Sequence, residues 1–187
     1  MKKTILVLIL FVSTFKSTSQ DASVEKSVFG IQTGFLGIWI HNESKLSDAI
    51  ALRSELGLDA AIFSDNFVGN SSFIMVPALT LEPRWYYNLN KRAAKKRRID
   101  GNSGNFISIK TTYHPDVVIG SLADNVTFIS DISIIPTWGI RRNIGKYFNY
   151  ETGIGVGYVH YFEEDNVILT EESGVAINLH LRIGFRF

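Results

Sequence analysis

From position 28 onward the chain alternates between apolar and polar residues in long runs. Seven stretches carry the pattern: about Val28–Ile40, Ala49–Phe63, Phe73–Asn88, Asn105–His114, Val126–Arg141, Tyr147–Phe162 and Val175–Phe187. A period of two marks a strand with one apolar face, and apolar stripes at helical spacing are scarce. Turn-rich segments such as HNESKLSD, SDNFVGNSS, DGNSGN and EEDNVILTEESG separate the stretches. No linker, repeat or low-complexity tract divides them, so the pattern predicts one all-β domain.

Most of the stretches are at least ten residues long, where globular strands usually have about five or six. A tilted membrane-spanning strand needs about 9–11. In Ala49–Phe63, Leu52, Leu56, Leu58 and Ile62 oppose Arg53, Glu55 and Asp59. In Asn105–His114, Ile107, Ile109 and Tyr113 oppose Ser108, Lys110 and His114. A soluble sandwich turns such apolar faces inward; a membrane barrel turns them toward lipid and lines its interior with the polar ones. Three features favour the inverted arrangement. Trp39, Trp85, Tyr87, Tyr113 and Trp138 fall near stretch ends, where aromatic girdles sit. The charged face is rich in small residues and nearly balanced in sign. The last stretch, VAINLHLRIGFRF, ends on an aromatic residue.

The first nineteen residues read differently. Lys2 and Lys3 precede the short apolar run ILVLILFV, and Ser17 and Ser19 supply small residues before Gln20. This is the pattern of a secretory signal peptide, too short for a membrane-spanning helix. The expected organisation is therefore a signal peptide over 1–19 and a barrel domain over 20–187. Three of the 19 basic residues (Lys2, Lys3 and Lys16) lie in the leader, so the remainder is slightly acidic against its 18 carboxylates. Such a chain has no field to attract nucleic acid. It has no cysteine, which removes disulfides and thiolate metal sites.

The signal peptide, the terminal LHLRIGFRF and runs such as TLEPRWYYNL and PTWGIRRNIGKYFNYETGIGVGY resemble the small outer-membrane β-barrel proteins of Gram-negative bacteria, in the broad OmpA/OmpX-like sense. The resemblance covers essentially all of 20–187. It implies an antiparallel up-and-down transmembrane barrel of about eight strands in the cell outer membrane, with outer-membrane lipid around it. It further implies that Phe185 and Phe187 belong to an assembly signal read by the barrel-assembly machinery, a transient partner. A barrel that starts and ends in the periplasm needs an even number of strands, and seven are visible. The eighth is expected around Val117–Leu122, unless the N-terminal stretch passes through the lumen.

The inward charges are the leading candidates for a site: Arg53, Glu55, Asp59, Glu82, Arg84, Lys110, Asp131, Arg141, Glu151, Arg182 and Arg186. An eight-stranded barrel is just wide enough for side chains to fill. Charges held there must pair, so the set predicts a salt-bridged plug, with a narrow polar path as the alternative. The basic segment of Lys91, Arg92, Lys95, Lys96, Arg97 and Arg98 suits a solvated connection, or contact with anionic lipid head groups or an acidic partner. GIGVGY over 153–158 lacks the strand-to-helix turn of a nucleotide loop. His41, His114, His160 and His180 show no zinc spacing. His160 near Glu163 and Glu164 is the one hint of hydrolytic chemistry, with no serine assigned to it. The reading is thus a non-enzymatic barrel without cofactor or metal, with a structural or surface-interaction role through its loops. A narrow channel or transporter for small or hydrophobic solutes is the alternative, and a lipid-modifying enzyme a distant one. No specific ligand is indicated.

Overall fold

The computed structural model describes residues 22–64, 71–121, 128–162 and 172–187. The leader, 1–19, lies outside them, as does almost all of the acidic loop from Glu163 to Ser173. The elements are β1 (Ser27–Gly34), β2 (Gly37–Lys45), β3 (Ile50–Ser64), β4 (Ser71–Trp85), a short helix α1 (Leu89–Ala94), β5 (Asn105–His114), β6 (Gly120–Ser121), β7 (Asp131–Ile144), β8 (Phe148–Tyr161) and β9 (Ser173–Arg186). All strand pairings are antiparallel. The order β3-β2-β1-β9-β8-β7-β5-β4 closes on itself through β3–β4, giving an eight-stranded barrel with very little helix.

The eighth strand is not where the pattern suggested. The stretch 28–40 folds back as a hairpin, β1 and β2, about Phe35 and Leu36, with Gly34 opposite Gly37. Gly37 has φ +148, and a Cβ there would lie 2.2 Å from the Leu58 carbonyl oxygen. The turn therefore requires glycine. Among its described residues, the region around 117–122 contributes only β6, two residues paired to Ile74 and Met75 at the rim of β4. β2 also continues to Lys45, through residues that read as a turn.

Alternation along each strand sorts the side chains as a barrel demands. Leu56, Leu81, Ile107, Ile134, Ile154 and Val156 face outward, whereas Arg53, Glu82, Arg84, Arg141 and Glu151 are buried inside. Both ends of the described chain lie at one end of the barrel, here the base. The two tight turns at 46–49 and 145–147 and residues 86–104 lie there too. The base carries the only apolar core cluster among the described residues: Val24, Ala51, Tyr86, Leu89 and Phe106, flanked by Ala22 and Ile99. Exposed aromatics collect at both ends. Phe185 stacks on Tyr147 at 5.3 Å near the base, and Tyr113 meets Phe162 at 6.2 Å near the far end. Trp39 departs from the girdle expected for it: the phase change at the hairpin turns it inward, where it is buried.

Candidate functional site

Four arginines and four glutamates fill the middle of the barrel. Glu43 on β2 is its hub. One carboxylate oxygen accepts from Arg84 at 3.0 Å, from Arg141 at 2.5 Å and from Arg53 at 3.4 Å. The other accepts from the Tyr86 hydroxyl at 2.9 Å and the Asn102 amide at 2.8 Å. Arg84 also donates two parallel bonds to Glu151, at 2.7 and 2.9 Å, and one to Glu82 at 2.7 Å. Ser108 completes Glu82 at 2.6 Å. Glu55 accepts from Arg53 Nε at 2.9 Å and from Arg182 at 2.8 Å.

This arrangement answers the cost of burying ions. A fully buried charge is tolerated only when paired and hydrogen-bonded, and bidentate guanidinium–carboxylate contacts are the strongest such pairs. The Arg84 guanidinium additionally lies 4.2 Å above the Phe106 ring. β2 and β7 stand four strands apart in the ring of eight, so the Glu43–Arg141 contact crosses the bore between opposite walls. The lattice spans the bore at this level, and the apolar cluster lies beneath it.

Toward the far end the packing loosens. His114 is held between two carboxylates, Asp131 at 3.0 Å and Asp59 at 3.2 Å, and Asp59 also accepts from Trp39 Nε1 at 2.6 Å. Both imidazole nitrogens are thereby engaged, which leaves neither free to activate a hydroxyl. The Arg182 guanidinium lies 3.7 Å above the Trp39 ring. Beside these groups is a cavity of about 740 Å³, bordered by Asp59, Lys110, Thr112, His114, Asn178 and Arg182 among others.

The charges named from the sequence thus fall into separate groups. Arg53, Glu55, Glu82, Arg84, Arg141, Glu151 and Arg182 form the central lattice; Asp59 and Asp131 hold His114; Lys110 faces the cavity without an ion-pair partner among the described residues. Arg186 is not part of the lumen network. It lies at the base, where it donates to Asp100 at 2.5 Å and reaches Glu25 at 3.5 Å. Asp100 also takes two bonds from Arg98, and that hydrogen bonding holds its carboxyl below the ordinary aspartate range. Phe185 faces outward against Tyr147, Phe148 and Phe187, and Phe187 is exposed.

The basic segment occupies α1 and the turn after it. Lys91, Lys95, Lys96, Arg97 and Arg98 are exposed, and Arg92 donates to the Arg98 carbonyl. Gly153, Gly155 and Gly157 alternate within β8, with no helix following. Glu43, His41, Gln32, Tyr86 and Trp39 are interior residues that were absent from the predicted set. Tyr86 had a signal, since it continues the inward phase of Glu82 and Arg84. Glu43 had none beyond its parity with Trp39 and His41, because its outward neighbours Asn42 and Ser44 are polar and erase the alternation. No family model, curated protein or solved structure matches this chain.

Proposed function

We propose that the chain is an integral outer-membrane protein of a Gram-negative cell, exported by residues 1–19, whose barrel is a sealed, non-enzymatic anchor for surface interactions. The observation carrying this reading is the inversion of polarity. Leu81, Ile109, Ile154 and Val156 are more than half exposed, while Arg53, Glu43, Arg141 and Glu151 are fully buried. In water that exchange would waste apolar burial and charge hydration together; in lipid it is the stable arrangement. Closure of the barrel supports it further, because no sheet edge is left unpaired between β3 and β4.

In this reading both ends of the domain, the basic segment and Arg186 face the periplasm, and the far-end connections face outward. Phe185 and Phe187 carry the assembly signal that the barrel-assembly machinery would read. The bore-crossing Glu43–Arg141 contact favours an anchor over an aqueous channel. Cell fractionation tests the location: recovery with outer-membrane lipid supports it, and recovery as a soluble periplasmic protein overturns it. Planar-bilayer recordings test the seal, for which no reproducible single-channel steps are expected.

A further inference from the structure

We propose that the cavity binds a single-chain amphiphile with an anionic head group, admitted from the bilayer through the barrel wall between β9 and the β1–β2 hairpin. The inference rests on the membrane reading above and gives the barrel a ligand.

The wall is incomplete on that side. β1 pairs with β9 only from Gly30 opposite Arg186 to Gly34 opposite Arg182, whereas β9 runs on to Ser173. Residues 173–181 therefore have no strand partner on their β1 side among the described residues. β2 leaves β3 at Gly37 opposite Asp59, so the hairpin stops short of both neighbours. Exposure reports the same gap. Val175, Ile177 and Leu179 are 72–75% exposed, while Ile154 and Val156 on β8, which has a neighbouring strand on each side, are 55% and 59% exposed. Unpaired backbone at membrane depth is tolerated where it lines a cavity, and here it does.

The cavity passes through this gap. It borders the inward residues Ala176, Asn178 and Arg182 of β9 and also the outward Val175, Ile177 and Leu179. A space bordered by residues of both parities fits the free edge that β9 has here. At the mouth stand Phe35, 91% exposed at the hairpin tip, and Leu36. The mouth is thus apolar, suited to an alkyl chain, and it lies level with the outward Val156 and Tyr158 paired to Ile177 and Val175.

The interior end selects the head group. Arg53, Arg84, Arg141 and Arg182 are each bound to a glutamate, and His114 is held by two aspartates. Lys110 borders the cavity and donates to no group among the described residues. The carboxylates around it are already engaged: Glu55 by Arg53 and Arg182, Glu82 by Arg84, and Asp59 by His114 and Trp39. An ammonium without a partner at the inner end of an apolar passage calls for a carboxylate or phosphate.

Trp39 borders the cavity, and the other two tryptophans, Trp85 and Trp138, face outward. The full chain carrying Trp85→Phe and Trp138→Phe, placed in phosphatidylcholine vesicles, therefore reports on the cavity alone. Dibrominated octadecanoate should quench Trp39 saturably, at a concentration on the order of tenfold lower than dibrominated octadecanol, the difference one hydrogen bond to a charged group makes. Displacement by octadecyl phosphate as well as octadecanoate would mark a general anion site, and displacement by octadecanoate alone a carboxylate site; either supports the proposal. Lys110→Gln should remove the preference for the acid while leaving quenching by the alcohol, and Lys110→Arg should keep it. Ala176→Phe, which crowds the cavity, should abolish saturable quenching. Equal quenching by acid and alcohol, quenching by brominated phosphatidylcholine, or an unchanged preference in Lys110→Gln would overturn the proposal. Flotation of the same vesicles separates the two readings. A barrel that floats without binding overturns the ligand site only, and one that does not float overturns the membrane reading as well.

Discussion

The two halves of this barrel follow one alternation rule, yet they pack in opposite ways. Near the base, inward positions carry Arg, Glu and Tyr, and their side chains meet across the bore. Toward the far end the inward positions of β5, β7 and β9 include Thr112, Ser133 and Ala176, too short to meet, and a cavity remains. The wall follows the same division: every strand has a neighbour on each side around the lattice, and β9 loses one above the short hairpin. A single strand pattern can therefore build a seal or a receptacle, depending on the size of its inward residues and the height of one hairpin.

Substitutions on either side of this boundary should differ in cost. Glu43→Gln removes the charge that three arginines share and should cost about 3–5 kcal/mol, the usual penalty for breaking a buried ion pair. Equilibrium urea unfolding in detergent would register it as a large drop in midpoint. At the boundary, a Cβ on Gly57 would lie 2.0 Å from the Trp39 ring. Gly57→Ala should lift Trp39 from Arg182, cost about 1–3 kcal/mol as overpacking does, and shift the tryptophan emission. In the looser half, Asp59→Asn weakens a part-exposed pair and should cost about 1 kcal/mol or less in the same titration. If Asp59→Asn proved as damaging as Glu43→Gln, the division into two halves would be wrong.

Much of this was legible in the chain. Period two exposed the inward parity of Arg53, Glu55, Glu82, Arg84, Arg141, Glu151 and Arg182, because each sits in a stretch whose other face is plainly apolar. Which carboxylate meets which guanidinium was not legible, since Glu43 and Arg141 are 98 residues apart and meet only when the barrel closes. Trp39 looked like a girdle residue because the turn at Gly34–Gly37 interrupts no apolar run; it only shifts its phase. The opening beside β9 was hidden for the same reason, as one long stretch concealed two short strands.

The smallest effect lies at the base. Asp100 has its pKa depressed by Arg98, so its contribution to stability is complete above the ordinary aspartate value of about 4 and is lost as pH falls through the lower folded value. Asp100→Asn should therefore differ from the parent by a constant small amount at neutral pH, with the difference vanishing in acid. Urea midpoints taken across that range check it.

In the membrane reading the apolar face of each strand meets lipid and the charged face does not. Because the chain has no cysteine, single cysteines at positions 107 to 111 of β5 can each carry a nitroxide in phosphatidylcholine vesicles. Collision with oxygen, which concentrates in lipid, should peak at 107, 109 and 111 and fall at 108 and 110, with a water-soluble nickel chelate low at all three peaks. High nickel accessibility at Ile107 and Ile109, or oxygen maxima at 108 and 110, would contradict the account.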